Sequence, residues 1–267
     1  MKIDASVRKQ KVVVVGGSFA GLCAIRHLSK YDNVDLTLIE PKDYFEYAPG
    51  ALHLLAGSGG DLISPIADII QNSATVVRGK LFGLNDVADT KSAIVKTIDT
   101  DGGEGIISEI PYDAMIICTG VPYTAPIRSA SVCGPSMASR LLEIDDFNDK
   151  LRNSTRVIIS GGGLVGVELA AEISCRLKDE VKEVLLISRS NLLGSLPDAA
   201  GQFALQWLKR RKNVKLFIGD EISGAPFKPS SISSSLAAGG NSVSFFCRVS
   251  ASHSRSFLPY SRHWRTD

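Results

Sequence analysis

The spacing of hydrophobic residues changes near residue 16. Residues 11–15 (KVVVV) form a short β-branched run that ends at Gly16, which is typical of a buried strand. The apolar residues that follow are spaced as on one face of a helix: Phe19, Leu22, Ile25 and Leu28. A second β-rich run, residues 35–39 (DLTLI), ends at Glu40. The pattern predicts strand, tight turn, helix and strand, which is a βαβ unit with parallel strands.

The same pattern returns between residues 156 and 188, where RVIIS, a glycine turn, a helix over 167–177 and VKEVLLIS follow one another. The chain therefore carries two copies of one unit. Between them, short β-prone runs separated by turn residues predict a small antiparallel meander. These runs cover residues 74–77, 80–84, 93–98 and 106–110. Residues 112–118 (YDAMIIC) then predict a buried parallel strand that leads to Thr119 and Gly120.

The composition changes after Glu221, the last acidic residue before Asp267. Serine supplies 12 of the 38 residues in 230–267, a composition typical of linkers and disorder. We expect an α/β fold of two Rossmann-like three-layer nucleotide-binding units, with parallel sheets and meanders, followed by an irregular tail. The expected domains are residues 1–125, 126–224 and 225–267.

Composition and charge exclude several classes of protein. A chain of 267 residues with 44% hydrophobic and 22% charged residues is an ordinary globular mixture. The net charge of +2 implies no general affinity for nucleic acid. The five cysteines are widely separated, so neither a disulfide scaffold nor a metal site is expected. We find no spanning apolar run and no secretory signal, although peripheral membrane contact stays open. The cytoplasm is the expected compartment.

The first glycine turn has the form GxGxxG with serine at the middle position. It reads Gly16, Gly17, Ser18, Phe19, Ala20 and Gly21. Glycines at such a turn let the backbone approach a diphosphate at the N-terminus of a helix. Glu40 follows 19 residues later at the end of the second strand, where a carboxylate can accept hydrogen bonds from an adenosine ribose. This combination predicts a dinucleotide site and argues against a 2′-phosphate there.

The second turn is a complete GxGxxG. It reads Gly161, Gly162, Gly163, Leu164, Val165 and Gly166. The strand that follows ends in Ser188 and Arg189 without a carboxylate. A hydroxyl and a guanidinium can hold a 2′-phosphate, which favours NADPH over NADH. The alternative is that Arg189 is only a solvated loop cation.

These motifs, together with the meander and the Thr119-Gly120 signal, resemble the two-dinucleotide-binding-domain flavoproteins. Within that superfamily the chain is most similar to the apoptosis-inducing-factor-like and type II NADH dehydrogenase group, over residues 11–222. The resemblance implies FAD in the first unit and NAD(P)H in the second. It also implies roles for Lys42 and His53 in the loop under the flavin, with His53 where the family usually has arginine, and for the backbone of Leu81 beside adenine. Glu168 resembles the family's acid near the nicotinamide, or it complements the helix dipole.

The chain departs from this family in two respects. Disulfide reductases of the superfamily carry a close cysteine pair after the first turn, whereas Cys23 stands alone here, which argues against a dithiol relay. Family members also return after the second unit to complete the flavin domain and add an interface domain, and neither segment is recognisable in residues 225–267. We therefore expect a C-terminally truncated flavin domain.

The resemblance implies an FAD-dependent NAD(P)H oxidoreductase that passes hydride from nicotinamide to flavin and electrons to a quinone-like small molecule. No side chain is required as a nucleophile, because the cofactors perform the redox chemistry. The alternative is a non-catalytic nucleotide-binding fragment that acts through protein contacts. The sequence assigns no nucleic-acid partner and no oligomeric state.

Overall fold

The computed structural model describes residues 8–57, 61–87, 90–98, 104–121, 123, 126–129, 136–220 and 242–246. These residues form two compact units. The first contains the described residues up to Thr155 together with Cys175–Val181, and the second contains Arg156–Ser174 and the described residues from Lys182 onward. The sequence pattern predicts this boundary at residues 125/126. It lies later in the structure because the helix at 137–152 packs with the first unit.

The elements of the first unit alternate between strands and helices at its start. The strands are β1 (Gln10–Val15), β2 (Val34–Glu40), β3 (Tyr44–Glu46), β4 (Ile63–Pro65), β5 (Thr75–Val87), β6 (Thr90–Ile98), β7 (Glu104–Pro111) and β8 (Ala114–Ile117). The helices are α1 (Phe19–Leu28), α2 (Ala51–Leu55), α3 (Ile66–Ile70) and α4 (Met137–Arg152), with a 3₁₀ turn at Ala48–Gly50. Among the described residues, no helix combines the length and the apolar character needed to cross a membrane.

The main sheet of the first unit has the strand order β7-β6-β5-β2-β1-β8. Strands β8, β1, β2 and β5 are parallel neighbours, whereas β5, β6 and β7 pair antiparallel. The predicted βαβ unit and meander are therefore confirmed. The two runs predicted at 74–77 and 80–84 belong to one strand, because β5 pairs with β2 at its start and with β6 from Gly79 onward.

Both faces of this sheet are covered, which gives the expected three layers. Successive side chains of a strand point to opposite faces. Val12 and Val14 accordingly pack with Ile25 of α1 and Ile66 and Ile70 of α3. On the other face, the buried cluster consists of Val13, Val15, Ile39, Ala93 and Val95. Helices therefore cover one face of the sheet and the meander covers the other.

The strand predicted at residues 112–118 is parallel to β1 but is not buried, so that part of the expectation is wrong. β8 lies at the end of the strand order, and Ile117 is 63% exposed. An edge strand has a neighbour on one side only. In the described part of the chain, β8 pairs with β1 alone, and its apolar sequence does not reveal this edge position.

The second unit repeats the arrangement with a smaller sheet. Its elements are β9 (Arg156–Ser160), α5 (Leu164–Arg176), β10 (Glu183–Ser188), α6 (Asp198–Lys209), β11 (Val214–Ile218) and β12 (Ser242–Phe246). All neighbours are parallel in the order β11-β10-β9-β12. Glu183 accepts hydrogen bonds from Arg156 and Lys215 at one end of this sheet.

Strand β12 corrects the expectation of an irregular tail for Ser242–Phe246. This segment pairs with β9 along its whole length, from Arg156 to Ser160. The physical reason is that β9 has a free edge opposite β10, where a short β-prone segment can complete its hydrogen bonds. The rest of the predicted tail lies outside the described residues.

Candidate cofactor sites

The first glycine turn is closed so tightly that only glycine fits at its two ends. Gly16 has a φ of +104°, and its N–H donates to the Ile39 carbonyl at 2.9 Å. A Cβ at Gly16 would lie 2.4 Å from the Cys118 carbonyl oxygen, and one at Gly21 would lie 1.8 Å from the Gly16 oxygen. The sequence between strand and helix is therefore fixed by close backbone contact.

The second turn has the same geometry. Gly161 has a φ of +118°, and its N–H donates to the Ile187 carbonyl at 2.8 Å. A Cβ at Gly166 would lie 1.9 Å from the Gly161 oxygen. The internal repeat predicted from the sequence is thus a repeat of backbone geometry, down to the hydrogen bond that joins each turn to the neighbouring strand.

The second glycine of each turn faces the residue that ends the neighbouring strand. A Cβ at Gly17 would lie 3.1 Å from Glu40 Cγ, and one at Gly162 would lie 2.3 Å from Ser188 Oγ. Glu40 and Ser188 therefore occupy equivalent positions in the two units. The structure brings each predicted ribose partner against its own glycine turn.

Glu40 is held by backbone donors. Its Oε2 accepts from the Gly17 N–H at 2.5 Å and its Oε1 accepts from the Lys42 N–H at 3.0 Å, while the residue is 4% exposed. An ionised carboxylate has about four acceptor positions. Glu40 can thus accept further hydrogen bonds from ribose hydroxyls while it stays fixed beside the turn.

The third position of each turn is where the two units differ. Gly163 is exposed and a Cβ there would meet nothing within 4 Å, so there is open space at the start of α5. In the first unit Ser18 precedes α1, and its hydroxyl makes no capping bond to that helix. The N-termini of α1 and α5 present unpaired backbone N–H groups, which favour an anion. The positions that follow are half-buried or exposed at the surface: Phe19, Ala20, Leu164 and Val165.

Thr119 lies beside the first turn, and Gly120 and Leu81 belong to the strands and loops around it. The Cys118 N–H donates to the Val15 carbonyl at 2.7 Å, and a Cβ at Gly16 would lie 3.1 Å from the Thr119 nitrogen. Gly120 follows with a φ of +67° and open space where a Cβ would stand. Leu81 packs against the cluster that contains Val15 and Ile39, which directly precede Gly16 and Glu40. The structure therefore brings Thr119 to the first turn and packs Leu81 with the core of the same unit.

Lys42 and His53 lie on the segment that follows Glu40. Burial lowers the pKa of Lys42, while Glu40 opposes the shift, and the Lys42 ammonium lies 5.3 Å from the centre of the Tyr44 ring. His53 is half-buried on α2, between leucines whose side chains are buried. Both side chains are thus partly withdrawn from solvent.

A buried ion pair that no sequence motif predicts anchors this segment. Arg140 of α4 donates to Glu46 through Nε at 3.3 Å and through Nη2 at 2.9 Å, and both side chains are 1% exposed. The same guanidinium donates to the Pro126 and Ile127 carbonyls and to Glu143. Residues 46 and 140 are 94 positions apart, and no motif links them, so the sequence carries no signal for the pair.

In the second unit the hydroxyl of Ser188 is already engaged. It donates to the Ser190 carbonyl at 2.6 Å, and the residue is 4% exposed, so only its acceptor lone pairs are available to a ligand. Arg189 is exposed directly after β10. Glu168 is the fifth residue of α5, which has no acidic residue in its first turn. Glu168 thus lies just beyond the first turn of α5, where the helix dipole is weaker.

The comparisons with known proteins cover both units. Residues 10–241 match the family model described as pyridine nucleotide-disulphide oxidoreductase. Ferroptosis suppressor protein 1 of Taeniopygia guttata is 28% identical over 226 residues, which are 84% of this chain and 55% of the relative. Apoptosis-inducing factor homolog B of Dictyostelium discoideum is 24% identical over 225 residues, covering 80% of this chain and 53% of the relative.

A solved structure of NDH2 from Plasmodium falciparum in complex with NADH has the same fold. The TM-score is 0.56 at 16% identity, with 79% of this chain and 48% of the other chain covered. The chain spans about half the length of the curated relatives it matches. The resemblance and the fold class inferred from the sequence are confirmed. The chain belongs to the pyridine nucleotide-disulphide oxidoreductase family.

Proposed function

We propose that the first unit binds FAD, that the second binds NAD(P)H, and that the protein is an FAD-dependent NAD(P)H oxidoreductase. The observation that carries the proposal is the repeated turn geometry, in which each helix N-terminus follows a glycine turn that lies against a strand-ending polar residue. Glu40 and Ser188 occupy the two equivalent positions. One site has a carboxylate and the other a hydroxyl at the equivalent position. This difference fits the binding of two different dinucleotides better than the binding of the same dinucleotide in both sites.

The cofactors fit the residues present. Gly163 and Gly120 leave open space where a Cβ would stand, so a diphosphate can approach the backbone there. When bound, the nicotinamide and the flavin together supply hydride transfer, and electrons then leave to a quinone-like small molecule. The contribution of this chain would be binding and orientation: the backbone donors of α1 and α5 would hold the diphosphates, and Glu40 would accept hydrogen bonds from ribose.

Residues after Glu40 complete the first site in this proposal. Lys42 places a partly desolvated cation beside Glu40, where it balances the buried carboxylate and faces the flavin side of the loop. Thr119 and Gly120 contribute backbone groups at the end of β8, and His53 acts as a donor from α2. Glu168 lies on α5 two residues after Gly166, on the nicotinamide side of the second site.

The second site favours NADPH in this proposal. Position 188 carries no carboxylate that would repel a 2′-phosphate, and Arg189 is exposed next to it. A charge-assisted hydrogen bond to phosphate contributes about 1.5–3 kcal/mol. NADPH should therefore bind more tightly than NADH.

The test is a pair of titrations on the purified full chain. Glu40→Gln should weaken FAD binding, followed by flavin absorbance, and leave NADPH binding intact. Gly163→Val should weaken NADPH binding and leave FAD binding intact, because the valine side chain fills the open space at the start of α5 only. Glu109→Gln, an exposed carboxylate on the meander, is the matched control. Equal losses of both ligands in both variants would contradict the assignment of one cofactor to each unit.

Activity is tested separately by NADPH oxidation with a soluble quinone after reconstitution with FAD. Quinone-dependent turnover that is lost in either variant supports the oxidoreductase. Binding of both nucleotides without turnover would favour the alternative, a nucleotide-binding chain that acts through protein contacts.

A further inference from the structure

A cleft of about 580 Å³ lies between α1 and α3 on the helical face of the first unit. Its walls are α1, the end of α3 and Phe45 of β3, and it shares only Phe19 with the first glycine turn. Small-molecule sites in proteins typically measure about 300–1,000 Å³. The cleft therefore has the size of a ligand site, and the proposed function does not use it.

One half of the cleft is apolar. Its lining includes Phe19, Leu22, Phe45 and Ile69, of which Phe19 is 47% and Ile69 42% exposed. Phe19 packs edge-on against Phe45, with ring centres 5.3 Å apart. Small-molecule sites are lined mainly by hydrophobic and aromatic side chains, with a few polar groups that fix the orientation of the ligand.

The other half is polar and basic. Arg26, His27 and Ser29 line it from the end of α1, and Gln71 and Ser73 line it after α3. The lining contains no Asp or Glu. Within the described part of the chain, no carboxylate pairs with the Arg26 guanidinium. The Nδ1 of His27 lies 2.9 Å from the Cys23 carbonyl oxygen, and since a carbonyl only accepts, Nδ1 carries the hydrogen.

We propose that this cleft binds a single long-chain carboxylate, with its hydrocarbon chain along the apolar half and its carboxylate on Arg26. The separation of apolar and basic residues along α1 matches an amphipathic anion of that kind. The helix rises about 1.5 Å per residue, so the ten steps from Phe19 to Ser29 span roughly 15 Å. An uncharged apolar ligand would leave the Arg26 end unmatched, and a small anion would leave the apolar half empty.

The test uses decanoate as the probe and decan-1-ol as its uncharged counterpart, with binding to the full chain measured by calorimetry. Arg26→Gln should weaken decanoate binding roughly tenfold, equivalent to about 1.4 kcal/mol, and leave decan-1-ol binding unchanged. Ile69→Glu should abolish decanoate binding by placing a like charge beside the chain. Arg210→Gln, an exposed arginine at the end of α6, is the matched control and should bind like the wild type. All three substituted positions are exposed, so the variants should fold, which circular dichroism verifies.

Three results would overturn the proposal. An equal loss of decanoate affinity in the Arg26 and Arg210 variants would show that only the overall charge of the protein matters, and not a contact with Arg26. Displacement of decanoate by saturating FAD would assign the binding to the cofactor site. Binding of anionic phospholipid vesicles through Arg26, with no binding of monomeric decanoate, would assign the surface to a membrane instead.

Discussion

Substitution of Arg140 by methionine should destabilise the first unit more than any change of an exposed charge. Arg140 is 1% exposed and makes two hydrogen bonds to Glu46. Methionine fills a similar volume but leaves the Glu46 carboxylate buried, with the Arg128 guanidinium 3.9 Å away. Removing one partner of a buried ion pair costs about 3–5 kcal/mol.

Two comparisons separate the burial of charge from the loss of packing. The double variant Glu46→Met with Arg140→Met removes both charges, and replacing a whole buried pair is often close to neutral. Both variants lose the bonds from Arg140 to the Pro126 and Ile127 carbonyls, and only the single variant keeps an unpaired buried carboxylate. The double variant should therefore be more stable than Arg140→Met alone, by at least about 1 kcal/mol. Lys150→Met breaks an exposed pair with Asp146 on the same helix and should cost only about 0.3–0.5 kcal/mol.

Native-state hydrogen exchange of the β1 amides is the suitable assay, because the chain has two compact units and one global unfolding curve would mix them. The Val12–Val15 amides lie in a buried strand with a neighbour on each side, so they report the unfolding of the first sheet. The reasoning is refuted if Arg140→Met costs less than about 1 kcal/mol, or if the double variant is less stable than the single one.

Three further outcomes are expected. Gly162→Ala should destabilise the second unit, because its Cβ would lie 2.3 Å from the Ser188 hydroxyl oxygen. Gly163→Ala should leave the thermal unfolding temperature unchanged and weaken NADPH binding, because a Cβ there meets no neighbour within 4 Å. Equal unfolding temperatures for the two variants would contradict this expectation. Arg189→Ala should weaken the binding of NADPH roughly ten- to a hundredfold and leave the binding of NADH unchanged. Calorimetric titration measures both affinities, and an equal loss for the two coenzymes would contradict the role of Arg189. Hydrogen bonds from Lys215 and Arg156 lower the pKa of Glu183 below its usual 4.5. The ionised Glu183 therefore stabilises the second unit above pH 4.5, and this stabilisation is lost as the pH falls through the lowered pKa. Glu183→Gln should make the thermal unfolding temperature of the second unit fall less steeply as the pH is lowered. The same dependence on pH in the variant and the wild type would contradict the role of this ion pair.

The sequence by itself determined the local units and their repetition. A β-branched run, a glycine turn and a helical stripe are short-range patterns, so the strand–turn–helix order around Gly16 and Gly161 could be predicted from neighbouring residues. The placement of Glu40 beside the turn followed as well, because parallel strands of a βαβ unit end at the same edge of the sheet. These predictions depend only on contacts that the chain topology already implies.

Tertiary structure decided what depends on pairing between distant segments. Several segments could pair or pack with more than one neighbour, and their apolar composition does not distinguish the possibilities. Examples are the exposed edge position of β8, the addition of β12 to β9 and the packing of α4 on the first unit. The Glu46–Arg140 pair is the clearest case. Each residue alone resembles a solvated charge, and only the fold brings them within 2.9 Å in a site that excludes water. Long-range contacts of this kind leave no periodic signal in the sequence, since their partners are set by the packing of whole elements.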